Sequence, residues 1–194
     1  MRKRTLVLSS AAGISFLFAH SVSAHTFGAQ GAGFSGGLVH PLLGIDHLLA
    51  MIAVGFWAMQ LGGKALWQVP LAFVSVMTGG ALIANLGLDA SLVETMIAAS
   101  VVFLGLMIAG SVQLPTAVSV VAVSAFALFH GYAHGLEVPQ AGHPMAYGVG
   151  FVLTTVCLHL LGVALGVSAS RMHTLTRMGG AAIAATGLYL LAGA

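Results

Sequence analysis

The sequence predicts an all-α polytopic membrane protein, about six transmembrane helices behind a cleavable signal peptide, and three observations carry that expectation. Hydrophobic residues make up 59% of the 194-residue chain and charged residues 5%, with a mean hydropathy of +1.05, which leaves too little polar surface to cover a water-soluble globule. Apolar runs of roughly 20 residues, each long enough to cross a bilayer as a helix, recur along the chain with only short connections between them. At the start, Arg2, Lys3 and Arg4 precede an apolar stretch from Leu6 to about Ala19, and Val22, Ser23 and Ala24 then form a small-residue cleavage site.

Residues 1–24 therefore read as a signal peptide cleaved after Ala24, and residues 25–194 as one transmembrane domain. The expected spans are 38–61, 66–88, 92–112, 115–135, 145–169 and 174–194. The connections at Gly62-Gly63-Lys64, Leu88-Asp89-Ala90, Gln113-Leu114-Pro115, 137–144 and 171–174 suit antiparallel neighbours and leave no room for a soluble domain. If the first span enters from outside, Lys64, Arg171 and Arg177 fall on the cytoplasmic side and no Lys or Arg of the mature chain falls outside, as the positive-inside rule requires. Both mature termini are then periplasmic, and Asp89, Glu94, Glu137 and His143 give the outer face an acidic, imidazole-bearing character. Small residues at helical spacing, Gly131 with Gly135 and Gly162 with Gly166, read as close helix contacts.

Composition excludes several functions. Without Arg2, Lys3 and Arg4 the formal charge falls from +2 to −1, so nothing argues for a nucleic-acid partner. Cys157 is the single cysteine, which rules out an intrachain disulfide or a CxxC site, and it reads as a small packing residue.

Ionisable side chains inside a span are costly, so each is a functional candidate. Here they gather in two places. The first span opens with His40, Pro41, Asp46 and His47, and the fourth ends with His130, His134 and Glu137. At about 100° per residue, His130, His134 and Glu137 share one stripe of a helix, whereas His40 and His47 on a continuous helix nearly eclipse one another and Asp46 points about a third of a turn away. Pro41 cannot donate a backbone hydrogen bond and favours an opened first turn, which places His40 on irregular backbone at the mouth. The first span runs inward and the fourth outward, so both sets reach the outer leaflet at similar depth. Four histidines and two carboxylates there suit a divalent transition-metal ion, with imidazole favouring Ni, Co, Zn or Cu(II).

A helix-to-helix hydrogen bond explains any one histidine, but not HxxxHxxE and HxxxxxDH on two helices at one depth. The nine methionines, Met51 among them, read as lipid-facing or core residues, and His159, deeper in the fifth span, reads as a packing histidine or a second station for the ion. After cleavage His25 carries both an α-amine and an imidazole, a chelating pair. Glu94 reads as a residue favoured by its helix N-terminus, with an entrance charge as the other reading.

At these residues the chain resembles the HupE/UreJ family, the hydrogenase and urease accessory membrane proteins. The resemblance is carried by His40-Pro-x-x-Gly-x-Asp46-His47, by Phe-His130-Gly-x-Ala-His134-Gly-x-Glu137 and by a signal followed by a His-bearing mature N-terminus, and it covers essentially the whole chain. It implies a permease rather than an enzyme, without a prosthetic group, that brings Ni2+ or Co2+ as the transported ion from periplasm to cytoplasm across the bacterial inner membrane. It also implies a link to hydrogenase or urease maturation. Carried over position by position, the metal-handling residues are His40, Asp46, His47, His130, His134 and Glu137, with His25 as a further candidate. The first motif is also similar to that of the larger nickel/cobalt transporters, but its five-residue gap between His40 and Asp46 exceeds their four, which marks analogy rather than membership.

Three other readings compete. HxxxHxxE could hold zinc in an intramembrane hydrolase, although ligands spread over several helices and the lack of a substrate-presenting loop favour transport. Gly33-Phe34-Ser35-Gly36 matches the GxSG of rhomboid proteases, but it precedes the first span and chance explains it better in a glycine-rich chain. A membrane metal sensor or chaperone would bind the ion without moving it.

Overall fold

A computed structural model describes residues 33–87, 89–138 and 143–193; the expected signal peptide, its cleavage site, His20 and His25 lie outside the described residues. Among the described residues the regular structure is helical throughout: α1 (Phe34–Val39), a 3-10 turn (His40–Leu42), α2 (Ile45–Leu61), α3 (Ala65–Leu82), a second 3-10 turn (Ala84–Leu86), α4 (Ala90–Gly110), α5 (Thr116–Glu137), α6 (Pro144–Ala169) and α7 (His173–Leu191). A helix satisfies its own backbone hydrogen bonds, which is what an apolar chain in lipid requires. The ends are set locally. Asp89 caps α4 by accepting from the Leu92 amide at 3.1 Å, and Pro144 occupies the first position of α6, where its missing N–H costs nothing. Gly62 and Gly63, at φ of 68° and 52°, make the tight turn between α2 and α3.

One expectation is corrected here. The first span is not a continuous helix over 38–61: Phe34–Leu42 and Ile45–Leu61 meet at 84°. Pro41 removes a helix donor and Gly44, extended at φ −91° and ψ 119°, breaks the path before α2 begins. His40 therefore does not stand above His47 on one stripe; it is folded over the start of α2.

Four helices, α3 to α6, are each long and apolar enough to cross a membrane, and the bent pair counts as a fifth if it is one span. The chain is thus an all-helical membrane protein. The sixth expected span is indeed a helix, α7, but His173, Arg177 and the threonines Thr174, Thr176 and Thr186 dilute its apolarity below that of the others.

Three helix pairs make most of the packing: α3 with α5, α4 with α7, and α2 with α6. The first and last of these share one design. On α2, Gly55 lies against the His159 carbonyl of α6, while Gly162 faces Ile52 and Phe56. On α5, Gly131 lies against the Met77 carbonyl of α3, while Gly80 faces Leu128 and Tyr132. At the next turn Gly166 meets Met59 and, correspondingly, Gly135 meets Ala84. The order of these contacts makes each pair parallel. Between them α4 and α7 cross antiparallel, Gly105 and Gly180 each facing the other's backbone and each packed on an alanine, Ala184 and Ala109. The sets α2–α3–α4 and α5–α6–α7 are thus related by an internal two-fold with opposite chain directions, the arrangement common in transporters.

These crossings leave no room for a side chain. Gly55→Ala should lower stability by about 1–3 kcal/mol, because its Cβ would strike the His159 backbone, whereas Gly148→Ala, with open space around it, should be tolerated; thermal unfolding of the detergent-solubilised proteins distinguishes the two.

Candidate metal centre

The parallel pairing of α2 with α6 brings Lys64 and Arg171 to one end of the bundle, and α7 starts there with Arg177. At the opposite end, the start of α2, the end of α5 and the bend after α1 converge, and the candidate residues meet.

Two groups of ligand atoms form. In the outer one, His40 Nε2 is 2.8 Å from Glu137 Oε2 and 3.1 Å from His134 Nδ1, and His134 Nδ1 is 3.4 Å from Glu137 Oε2. Two ligands about 2.1 Å from one ion and about 84–110° apart lie about 2.8–3.4 Å from each other, so these spacings are compatible with one coordinated cation. The three atoms lie within 4.8 Å of one another, and the Glu137 side chain, 46% exposed, opens the group to the outside.

The deeper group is made of imidazoles alone. The His134 ring stands 4.2 Å from His47, and His47 stands 5.0 Å from His130. Asp46 Oδ1 accepts from His47 Nδ1 at 2.8 Å, and the His130 Nδ1–H donates to the Phe126 carbonyl at 3.0 Å. With each Nδ1 engaged as donor, the other ring nitrogen carries the lone pair. The Nε2 atoms of His47, His130 and His134 are all buried and have no hydrogen-bond partner among the described residues. A carboxylate or carbonyl holding one nitrogen while the other stays available is the usual support of a metal-binding histidine.

His134 belongs to both groups, with Nδ1 outward and Nε2 among the deeper imidazoles, and as a neutral ring it offers its lone pair to one of them at a time, according to its tautomer. Neither carboxylate pairs with a Lys or Arg among the described residues; their partners are histidines alone. Two acidic groups without a fixed cation suit a mobile divalent one.

Of the residues singled out from sequence, His40, Asp46, His47, His130, His134 and Glu137 come together. Glu94 is exposed on α4 towards the same end, His143 is exposed at the start of α6, and Ser35 is exposed on α1. His173 lies at the opposite end, and Cys157 is exposed on α6 rather than packed inside. Spacing missed the aromatic walls. Phe151 packs 4.2 Å from the His134 ring, Tyr147 5.7 Å from His40 and Phe73 5.4 Å from His130. An aromatic residue in an apolar span carries no signal that separates it from ordinary core.

These features define an all-helical membrane protein with a cluster of imidazoles, the deeper ones buried, and two partly exposed carboxylates at one end. The family described as HupE / UreJ protein matches residues 12–190. Protein HupE of Rhizobium leguminosarum bv. viciae is 45% identical over 170 residues, covering 86% of this chain and 88% of that protein. No solved structure matches. The chain belongs to the HupE/UreJ family.

Loss of the shared ring should affect both groups. For any divalent transition metal that the cluster holds, His134→Ala should weaken binding to the purified protein by about 10–100-fold, and Asp46→Ala, which removes the acceptor of the His47 Nδ1–H, by about tenfold, both read by calorimetric titration.

Proposed function

We propose that the protein is a permease that moves Ni2+, or Co2+, from the periplasm to the cytoplasm across the bacterial inner membrane, in support of nickel-enzyme maturation such as that of hydrogenase or urease. The observation that carries this reading is the His134 ring, which joins an exposed carboxylate-bearing mouth to buried imidazoles with free Nε2 atoms. A purely structural metal would need one closed coordination sphere. Two overlapping partial sites instead let an ion exchange ligands one at a time, tight enough to enter and loose enough to leave. Membership in a family associated with nickel and cobalt transport or accessory function supports the same reading, and nothing in that match favours a hydrolase.

In this reading the ion loses part of its hydration at Glu137 and His40, passes to His134 and then to His47 and His130, while Asp46 orients His47. His25, at the mature N-terminus, captures the ion before the mouth. The bent α1–α2 unit and α7 complete six membrane segments, with Lys64, Arg171 and Arg177 at the cytoplasmic end as the positive-inside rule favours. The two-fold related halves rock against each other to open the far side.

Trace uptake of radiolabelled nickel into proteoliposomes tests the proposal, with wild type compared to His47→Ala and with cobalt, zinc and copper as competitors. Wild type should accumulate nickel, His47→Ala should fall to background, and cobalt should compete best; background uptake by correctly inserted wild type removes the proposal. Protons compete with the metal for the imidazole lone pair, so uptake should fall on acidification, which the pH profile of trace nickel uptake checks.

A further inference from the structure

One buried imidazole plays no part in the cluster just described. His159 of α6 is 3% exposed, and neither Nδ1 nor Nε2 has a hydrogen-bond partner among the described residues. Thr155, one turn before it, gives its hydroxyl to the Phe151 carbonyl at 3.0 Å and so does not serve it. An imidazole placed for packing normally has at least one nitrogen satisfied, because desolvating both without return is unfavourable.

Its place in the fold adds direction. The rings form a file: His40 to His134 at 5.0 Å, His134 to His47 at 4.2 Å, His47 to His130 at 5.0 Å, His130 to Phe73 at 5.4 Å, and Phe73 to His159 at 5.3 Å. The His159 backbone lies against Gly55, eight residues along α2 from His47, which is roughly 12 Å further towards the Lys64 and Arg171 end. The internal two-fold supplies a control within the molecule. The residue that takes the place of His159 in the other half is Met77, whose carbonyl meets Gly131 as that of His159 meets Gly55, and Met77 is 2% exposed. An apolar side chain thus fills the equivalent crossing, and packing there does not call for an imidazole.

We propose that His159 is a second ligating station for the transported divalent cation, on the far side of Phe73 from the outer cluster, reached after the ion leaves His130. The inference rests on the permease reading. Its role is in passage rather than capture, so entry and translocation should separate when it is changed.

Nickel uptake by proteoliposomes carrying wild type, His159→Phe or His159→Gln tests this, alongside nickel titration and thermal unfolding of the same proteins in detergent. His159→Phe should fold with undiminished thermal stability, bind nickel at the outer cluster as wild type does, keep its KM and lose about tenfold in maximal uptake, with Gln restoring part of the rate. Uptake by both variants at the wild-type rate overturns the station and leaves the permease reading intact. Background uptake by wild type overturns the permease reading and this inference with it. If His159→Phe does not fold, the KM-against-rate comparison for His159→Gln decides: a lower rate at unchanged KM supports the station, and unchanged kinetics overturn it.

Discussion

A bilayer offers no hydrogen-bond partner to a polar atom within it, so the chain must supply one or leave the atom unsatisfied at a cost. That constraint governs the architecture. The backbone meets it by being helical through nearly every described residue. At the histidine cluster it is met for only half of each ring. Asp46 holds one nitrogen of His47 and the Phe126 carbonyl holds one of His130, and in both cases Nε2 is left without a partner. Each open, buried nitrogen carries a cost that an apolar residue of similar size would avoid. Rings fixed at one nitrogen and open at the other leave a lone pair for a ligand, and the two carboxylates with no Lys or Arg partner among the described residues favour a positively charged one.

Much of this was legible in the sequence, and the reason is the regularity of α5. Because that helix runs unbroken to Glu137, the i, i+4, i+7 spacing of His130, His134 and Glu137 translates directly into one face. The first motif translated less well. Pro41 signalled irregular backbone at His40, but the size of the bend goes with an extended Gly44 and with α1 packed on α6, neither of which spacing discloses. The bend is what delivers His40 to Glu137 rather than to the stripe above His47. The pairing of Asp46 with the neighbouring ring was equally hidden. Adjacent residues on a helix point to different faces, and only at the first turn of α2 can the carboxylate reach both the His47 amide and its ring. Gly131, Gly135, Gly162 and Gly166 announced close crossings, but sequence could not say which helix each would meet. The parallel pairs α2 with α6 and α3 with α5 emerge only in three dimensions.

The two-fold relation between the halves gives the cluster its direction. Aligning Gly55 with Gly131 places Val54 opposite His130, Ala58 opposite His134 and Val123 opposite His47, and each of these three apolar residues is fully or almost fully buried. The frame is duplicated while the chemistry is not. An exchange of conformation between the halves would therefore carry the ion from a region rich in imidazole and carboxylate towards one lined by valine and alanine, where it has little to hold it. A symmetric pair of sites would retain the ion equally on both sides. In the proposed permease, ligands concentrated at the end opposite the basic residues would favour capture there and release at the other end, with a polar group needed to bridge the apolar middle. His159 is the buried imidazole that lies in that interval. Its two-fold partner, Met77, stands at the depth of His130, where the proposed imidazole ligands are already gathered and a further histidine would only deepen their hold on an ion.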